Sequence, residues 1–168
     1  MKNVLLSLIR SQSGAAGAEM ALVTPLLLVI MFGAFELGNY FYSEHVVTKA
    51  VRDGARFASR SFSLDASCGT PPSAVVTNTK EVTRTGQVSG GTTRLAGWTN
   101  ASTVTVTLTC ATSGGYVNNG IYKGLTGGIR VVKVTAAVPY TSLFATLGLT
   151  NGNSLTLNAS SEAPVMGI

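Results

Sequence analysis

Residues 14–57 read GAAGAEMALVTPLLLVIMFGAFELGNYFYSEHVVTKAVRDGARF, and this stretch decides the fold. Its centre is a run of sixteen uncharged residues, Met20 to Phe35. Gly14 stands at its head, and a lone carboxylate, Glu19, falls five residues later. A run this apolar partitions into a bilayer, where an unpaired carboxylate at its edge is costly. Glu19 therefore needs a cationic partner. Cleavage after Gly14 would supply one: Ala15 would become residue one with a free amine, and Glu19 residue five. Residues four apart lie about one turn apart on the same helix face. In helices packed side by side, the carboxylate of one then reaches the new amine of its neighbour.

The preceding segment, MKNVLLSLIRSQSG, is short, mildly basic and ends in small polar residues. A secretory signal is cut after its apolar core, whereas here the glycine comes before it. Ala16 to Ala18 mimics a small-x-small cleavage pattern, but it also lies before the apolar run. A cut after Gly17 would make Glu19 the second residue and spoil the five-residue register. An uncleaved signal anchor is the alternative to a cut at Gly14.

A glycine, a four-residue gap, a glutamate and an apolar helix together resemble type IV prepilins. Pro25 within VTPLLL, then FELGNYFY, then AVRDGARFA at Ala50 to Ala58 narrow the match. These residues are similar to the TadE-like proteins of the tight-adherence (Tad, Flp) pilus system, with Met20 where that group commonly has an aromatic residue. The resemblance is strong over roughly Arg10 to Arg60 and weaker, but traceable, beyond. It implies a prepilin leader over 1–14, a membrane-spanning then amphipathic helix over 15–60, and an extracytoplasmic domain over 61–168. It also implies a prepilin peptidase, other pilin or pseudopilin subunits and the Tad inner-membrane machinery as partners.

Met20 to Phe35 would span only about 24 Å as a helix, against a hydrocarbon core of about 30 Å. Adding Ala15 to Ala18 and running through Leu37 makes the segment sufficient, with lipid as its surroundings. Tyr40 and Tyr42 would then form an aromatic belt near the outer interface. Pro25 removes one backbone bond and kinks a helix, and Gly33 and Gly38 allow close helix packing. All three are also tolerated in membrane helices without any special role. Lys2 and Arg10 precede the segment and Lys49, Arg52, Arg56 and Arg60 follow it, so charge does not choose the orientation. The cysteines and the Ser/Thr-rich remainder argue for an external C-terminal domain, as the resemblance does. The expected location is the inner membrane, single-pass, with the domain in the periplasm or on the pilus.

From Ser43 to Arg60, Val47, Ala50, Val51, Gly54, Phe57 and Ala58 recur at steps of three and four. This stripe is expected to lie on a sheet. RDGAR, with Gly54 at its centre, reads either as a small residue at a tight helix crossing or as a contact with another subunit.

The rest is rich in Thr, Ser, Gly, Val and Asn, a β and turn composition with room for a small core. Pro71, Pro72 and Ser73 open a weakly patterned helix, Ser73 to Thr83. Three strands follow: Thr103 to Cys110, Ile129 to Pro139 and Ser154 to Ser160. Thr141 to Leu149 reads as a short helix or turn. The expected fold is α+β and pilin-like, a long N-terminal helix packed on a small antiparallel sheet.

Cys68 and Cys110 are the two cysteines, and both fall outside the apolar segment. An even count in an exported domain reads as one disulfide, with two unpaired thiols as the alternative. There is no CxxC, and His45 is the sole histidine, so no metal site is expected. No nucleophile motif, zinc motif or phosphate loop occurs, and Glu19 and Glu36 stand about 25 Å apart along a helix, too far for an acid/base pair. Neither an enzyme nor a cofactor is expected. Net charge is +5, or +3 if residues 1–14 are removed. The basic residues after Arg60 are scattered without aromatic interleaving, so nucleic acid is not an expected partner. The reading is a minor pilin or pseudopilin acting in pilus assembly, adhesion and biofilm formation. The alternative is a single-pass anchored binding module that does not assemble.

Overall fold

The structure is a computed structural model that describes residues 14–62, 69–112, 123, 128–146 and 155–166. By packing, the chain divides into two units, 1–38 and 39–168. One helix, α1, runs Ala15–Ser61 and contributes to both.

In the first unit, α1 is bare. Its most apolar 18-residue window has a mean hydropathy of 2.1, and none of its residues is buried. Leu22, Leu26, Leu27, Val29, Ile30 and Phe35 are all exposed. Residues 15–38 rise about 36 Å as a helix, enough to cross a hydrocarbon core of about 30 Å. A face this apolar cannot be stable against water, which makes the segment a candidate membrane anchor. Pro25 lies inside the helix, and the Thr24 hydroxyl beside it donates to the Met20 carbonyl at 2.6 Å. Such back-bonding keeps a threonine hydroxyl satisfied without water.

In the second unit, the end of α1 meets a three-stranded antiparallel meander in the order β1-β2-β3. The strands are β1 (Val104–Ala111), β2 (Ile129–Pro139) and β3 (Thr156–Pro164). Alternation sorts β1: Val104, Val106 and Leu108 are buried, while Thr105, Thr107 and Thr109 face out. The register sets Val106 against Val134 and Leu108 against Val132, so the apolar residues form one continuous sheet face. Val47, Ala50, Val51 and Ala58 of α1 close over that face in a single core. Each fully buried valine or leucine contributes about 1.5–3 kcal/mol.

A second helix, α2 (Ser73–Thr85), flanks this layer, and a four-residue helix, α3 (Leu143–Thr146), follows β2. α2 buries threonines where a helix usually buries aliphatics. Thr79 and Thr83 are fully buried, and their hydroxyls donate to the carbonyls of Val75 and Thr79, each at 2.7 Å. The satisfied hydroxyls carry little desolvation penalty, so the side chains pack much as valines do. Gly86 ends α2 in the left-handed conformation (φ 82°), and its N–H donates to the Val82 carbonyl.

The α+β arrangement matches the expectation, and β2 has the expected bounds. β3 runs four residues further than the apolar alternation suggested, through Ser161, Glu162, Ala163 and Pro164. Pairing with Val131 to Val134 of β2 holds this weakly β-prone tail in the sheet. Phe57 is a correction to the core stripe. It is only half-buried, and Ala55 is buried instead.

Candidate functional site

The residues singled out at the start of α1 lie on the bare helix. Ala15 opens it, and Glu19 stands one turn on, exposed, on the same side. A Cβ added at Gly33 or Gly38 would meet nothing within 4 Å among the described residues, so both leave flat, open places on the helix surface. The structure thus presents Glu19, Pro25, Gly33 and Gly38 on a stretch of helix that no other described element covers.

Gly54 is different. A Cβ there would collide with the Thr83 hydroxyl and sit 3.6 Å from Val134 Cγ1. It is the point where α1, α2 and β2 meet. Of the two readings of RDGAR, the tight crossing is the one the geometry supports at Gly54. Its neighbour Asp53 accepts a hydrogen bond from Arg94 at 2.7 Å, with both side chains largely buried. Arg94 is also placed by the backbone, since its N–H donates to the Arg84 carbonyl at 2.8 Å. Asp53 and Arg94 therefore clip the Gly-rich connection after α2 onto α1.

Further up the same helix, Asn39 Nδ2 donates to the Tyr140 hydroxyl at 2.9 Å, and Tyr40 meets the Tyr140 ring edge-on at 5.2 Å between centroids. Tyr40 therefore clamps α1 to the sheet domain through Tyr140. Tyr42 stays exposed. A cleft of about 370 Å³ opens beside this clamp, lined in part by Asn39, Arg94, Tyr140 and Ser142. Asn39 and Arg94 already serve Tyr140 and Asp53, so the cleft has little polar anchorage to spare for a ligand.

Trp98, the only tryptophan, has no place in the sequence-derived core, yet it is among the largest fully buried side chains. Its indole N–H donates to the Thr103 hydroxyl at 2.8 Å, which in turn donates to the Asn100 carbonyl. A lone tryptophan in a polar, Gly-rich connection was the available signal.

Cys110 lies half-buried near the end of β1, and Cys68 falls outside the described residues. The N–H of Gly69 donates to the Leu108 carbonyl at 3.2 Å, which brings the chain next to Cys68 alongside β1, two residues from Cys110. His45 is exposed on α1. No group of His, Cys, Asp or Glu suited to a metal ion occurs among the described residues.

A long helix that is bare and apolar over its first half and packed on a three-stranded antiparallel sheet over its second defines an α+β chain with a candidate membrane anchor. The family model described as TadE-like protein matches residues 14–56, about a quarter of the chain, so most of α1 is similar to the helix of that family. The match begins at Gly14 and ends beyond Gly54, so it takes in both the candidate cleavage site and the helix crossing. No curated protein and no solved structure matches the chain.

Proposed function

We propose that this chain is a minor pilin or pseudopilin of a Tad-type pilus. A prepilin peptidase would cut between Gly14 and Ala15. The new amine at Ala15 and the carboxylate of Glu19 would then pair between neighbouring helices in the membrane. In that low-dielectric setting, pairing removes the cost of two isolated charges and fixes the axial offset of one helix against the next. Gly33 and Gly38 would give the close approach that such packing needs. The sheet domain, held outside the membrane, would act in assembly, adhesion or biofilm formation.

The observation that carries this reading is the bare half of α1, with Gly14, Ala15 and Glu19 in prepilin register inside the family-matched segment. A simple anchor has no use for a carboxylate at the head of its apolar run. The exported setting also supports a Cys68–Cys110 disulfide, as does the Gly69–Leu108 hydrogen bond. The chain is read as a peptidase substrate and not as an enzyme.

The test is Glu19→Ala in the full chain, expressed with its own pilus system. Processing at Gly14 should continue while the variant disappears from assembled surface fibres or complexes. Normal assembly of Glu19→Ala would remove the pairing mechanism, whereas absence of the parent chain itself from any fibre or complex would favour the anchored binding module.

A further inference from the structure

Ten Lys and Arg residues lie after residue 38, against five Asp and Glu. Three ion pairs tie charges within the sheet domain: Arg94 with Asp53, Arg84 with Glu81, and Lys133 with Glu162. Lys49, Arg52, Arg56 and Arg60 are instead gathered on one helix. All four are exposed on α1, and none forms an ion pair among the described residues. At 100° per residue they fall within about 80° of one another, opposite the face that Val47, Gly54 and Ala58 bury. They make a single row about 16 Å long. Outside it, six cations face five anions, so the row holds the surplus charge of this unit.

Like charges three and four apart destabilise a helix, so this row is a cost to the isolated chain. Phe57 lies beside it. Its half-buried ring shares a shallow depression with Asp53, Arg56, Arg60 and Ser61 instead of joining the core. Guanidinium groups around an aromatic ring are the composition of protein interface centres. Arginine, three of the four cations, binds carboxylates through two parallel hydrogen bonds. We propose that the Lys49–Arg60 face of α1 docks an acidic face of a different protein, with carboxylates at helical or strand spacing and an apolar contact for Phe57.

A second copy of this chain does not fit. After the three internal pairs, the carboxylates it offers beyond residue 38 are Glu44 and Asp65, which are single charges distant in sequence. A polyanion such as nucleic acid fits less well, since the rest of the unit is near neutral and would add nothing to the attraction. The proposal holds for a pilin and for a non-assembling anchor alike, and N-terminal processing does not report on it.

The test places photoreactive p-benzoylphenylalanine at position 57 of the full-length protein in its native membranes. The expected product is one adduct with a polypeptide other than this chain, mapping to a peptide with regularly spaced Asp or Glu. The adduct should be lost in R52Q/R56Q, weakened in K49Q/R60Q and reduced by salt, while K133Q on the sheet leaves it unchanged. Trp98 fluorescence should show that both double variants melt at or above the parent temperature, because like-charge repulsion has been removed. An adduct to a second copy, to lipid or to nucleic acid would overturn the proposal. So would the absence of any adduct, or one of equal yield in both double variants.

Discussion

Replacing Gly54 by alanine tests the helix crossing most sharply, because two effects of opposite sign compete there. In an exposed helix, Gly→Ala stabilises by about 1 kcal/mol. Here the new methyl would collide with the Thr83 hydroxyl, with Val134 Cγ1 on its other side. Thr83 is fully buried and its hydroxyl is held at 2.7 Å on the Thr79 carbonyl, so turning away strands a buried polar group. Overpacking costs about 1–3 kcal/mol, and an unsatisfied hydroxyl costs about 1–3 kcal/mol more when relief takes that route. The net expectation is a loss of about 1.5–3 kcal/mol, or a melting temperature about 5–12 °C lower for a unit of this size. The assay is thermal unfolding of the full chain in detergent, followed by the fluorescence of Trp98. Thr83→Ala removes the colliding atom, so G54A/T83A should be more stable than the sum of the single effects by about 1 kcal/mol or more. Thr83→Val leaves a methyl in the same place and should give no such relief. A G54A chain that melts at or above the parent, or a T83A partner that recovers nothing, would refute the crossing.

Other substitutions separate what holds the unit together. Trp98→Phe keeps most of the apolar volume but loses the indole bond to Thr103, and should cost about 1–3 kcal/mol in denaturant unfolding. Arg94→Ala, at a largely buried ion pair, should destabilise by about 1–2 kcal/mol, whereas Lys133→Ala, at the exposed pair with Glu162, should stay within about 0.5 kcal/mol. If Cys68 and Cys110 are joined, the loop closed is about 43 residues, and Cys110→Ser or a reducing agent should lower stability by about 4 kcal/mol. Equal melting with and without reductant would exclude the bridge.

The helix and sheet were legible for plain reasons. Apolar periodicity carried α1, and alternation with β-branched residues carried β1 and β2. The small residue in RDGAR marked a close approach before any contact was known. What stayed hidden depends on partners distant in sequence. The end of β3 has little strand propensity of its own and is held by β2. The inner face of α2 is threonine, which reads as polar until its hydroxyls are seen bonded to the helix backbone. Phe57 fits the apolar period, yet the space between α1, α2 and the sheet at that level admits glycine and alanine and turns the ring outward. The contact of Tyr40 with Tyr140 stayed hidden because nothing in the sequence points to a partner about one hundred residues away. Of the candidate site, Gly14, Ala15, Glu19, Pro25, Gly33 and Gly38 are singled out by a local pattern alone, and the structure adds the bare helix they lie on. The Asp53–Arg94 clip and Trp98 were not.

The most direct test of the account is the N-terminal residue of the protein made alongside its own prepilin peptidase, read by intact-mass spectrometry. The account predicts a mature chain that begins at Ala15, with Glu19 as its fifth residue. A chain that still begins at Met1, or one cut after Gly17, would contradict it.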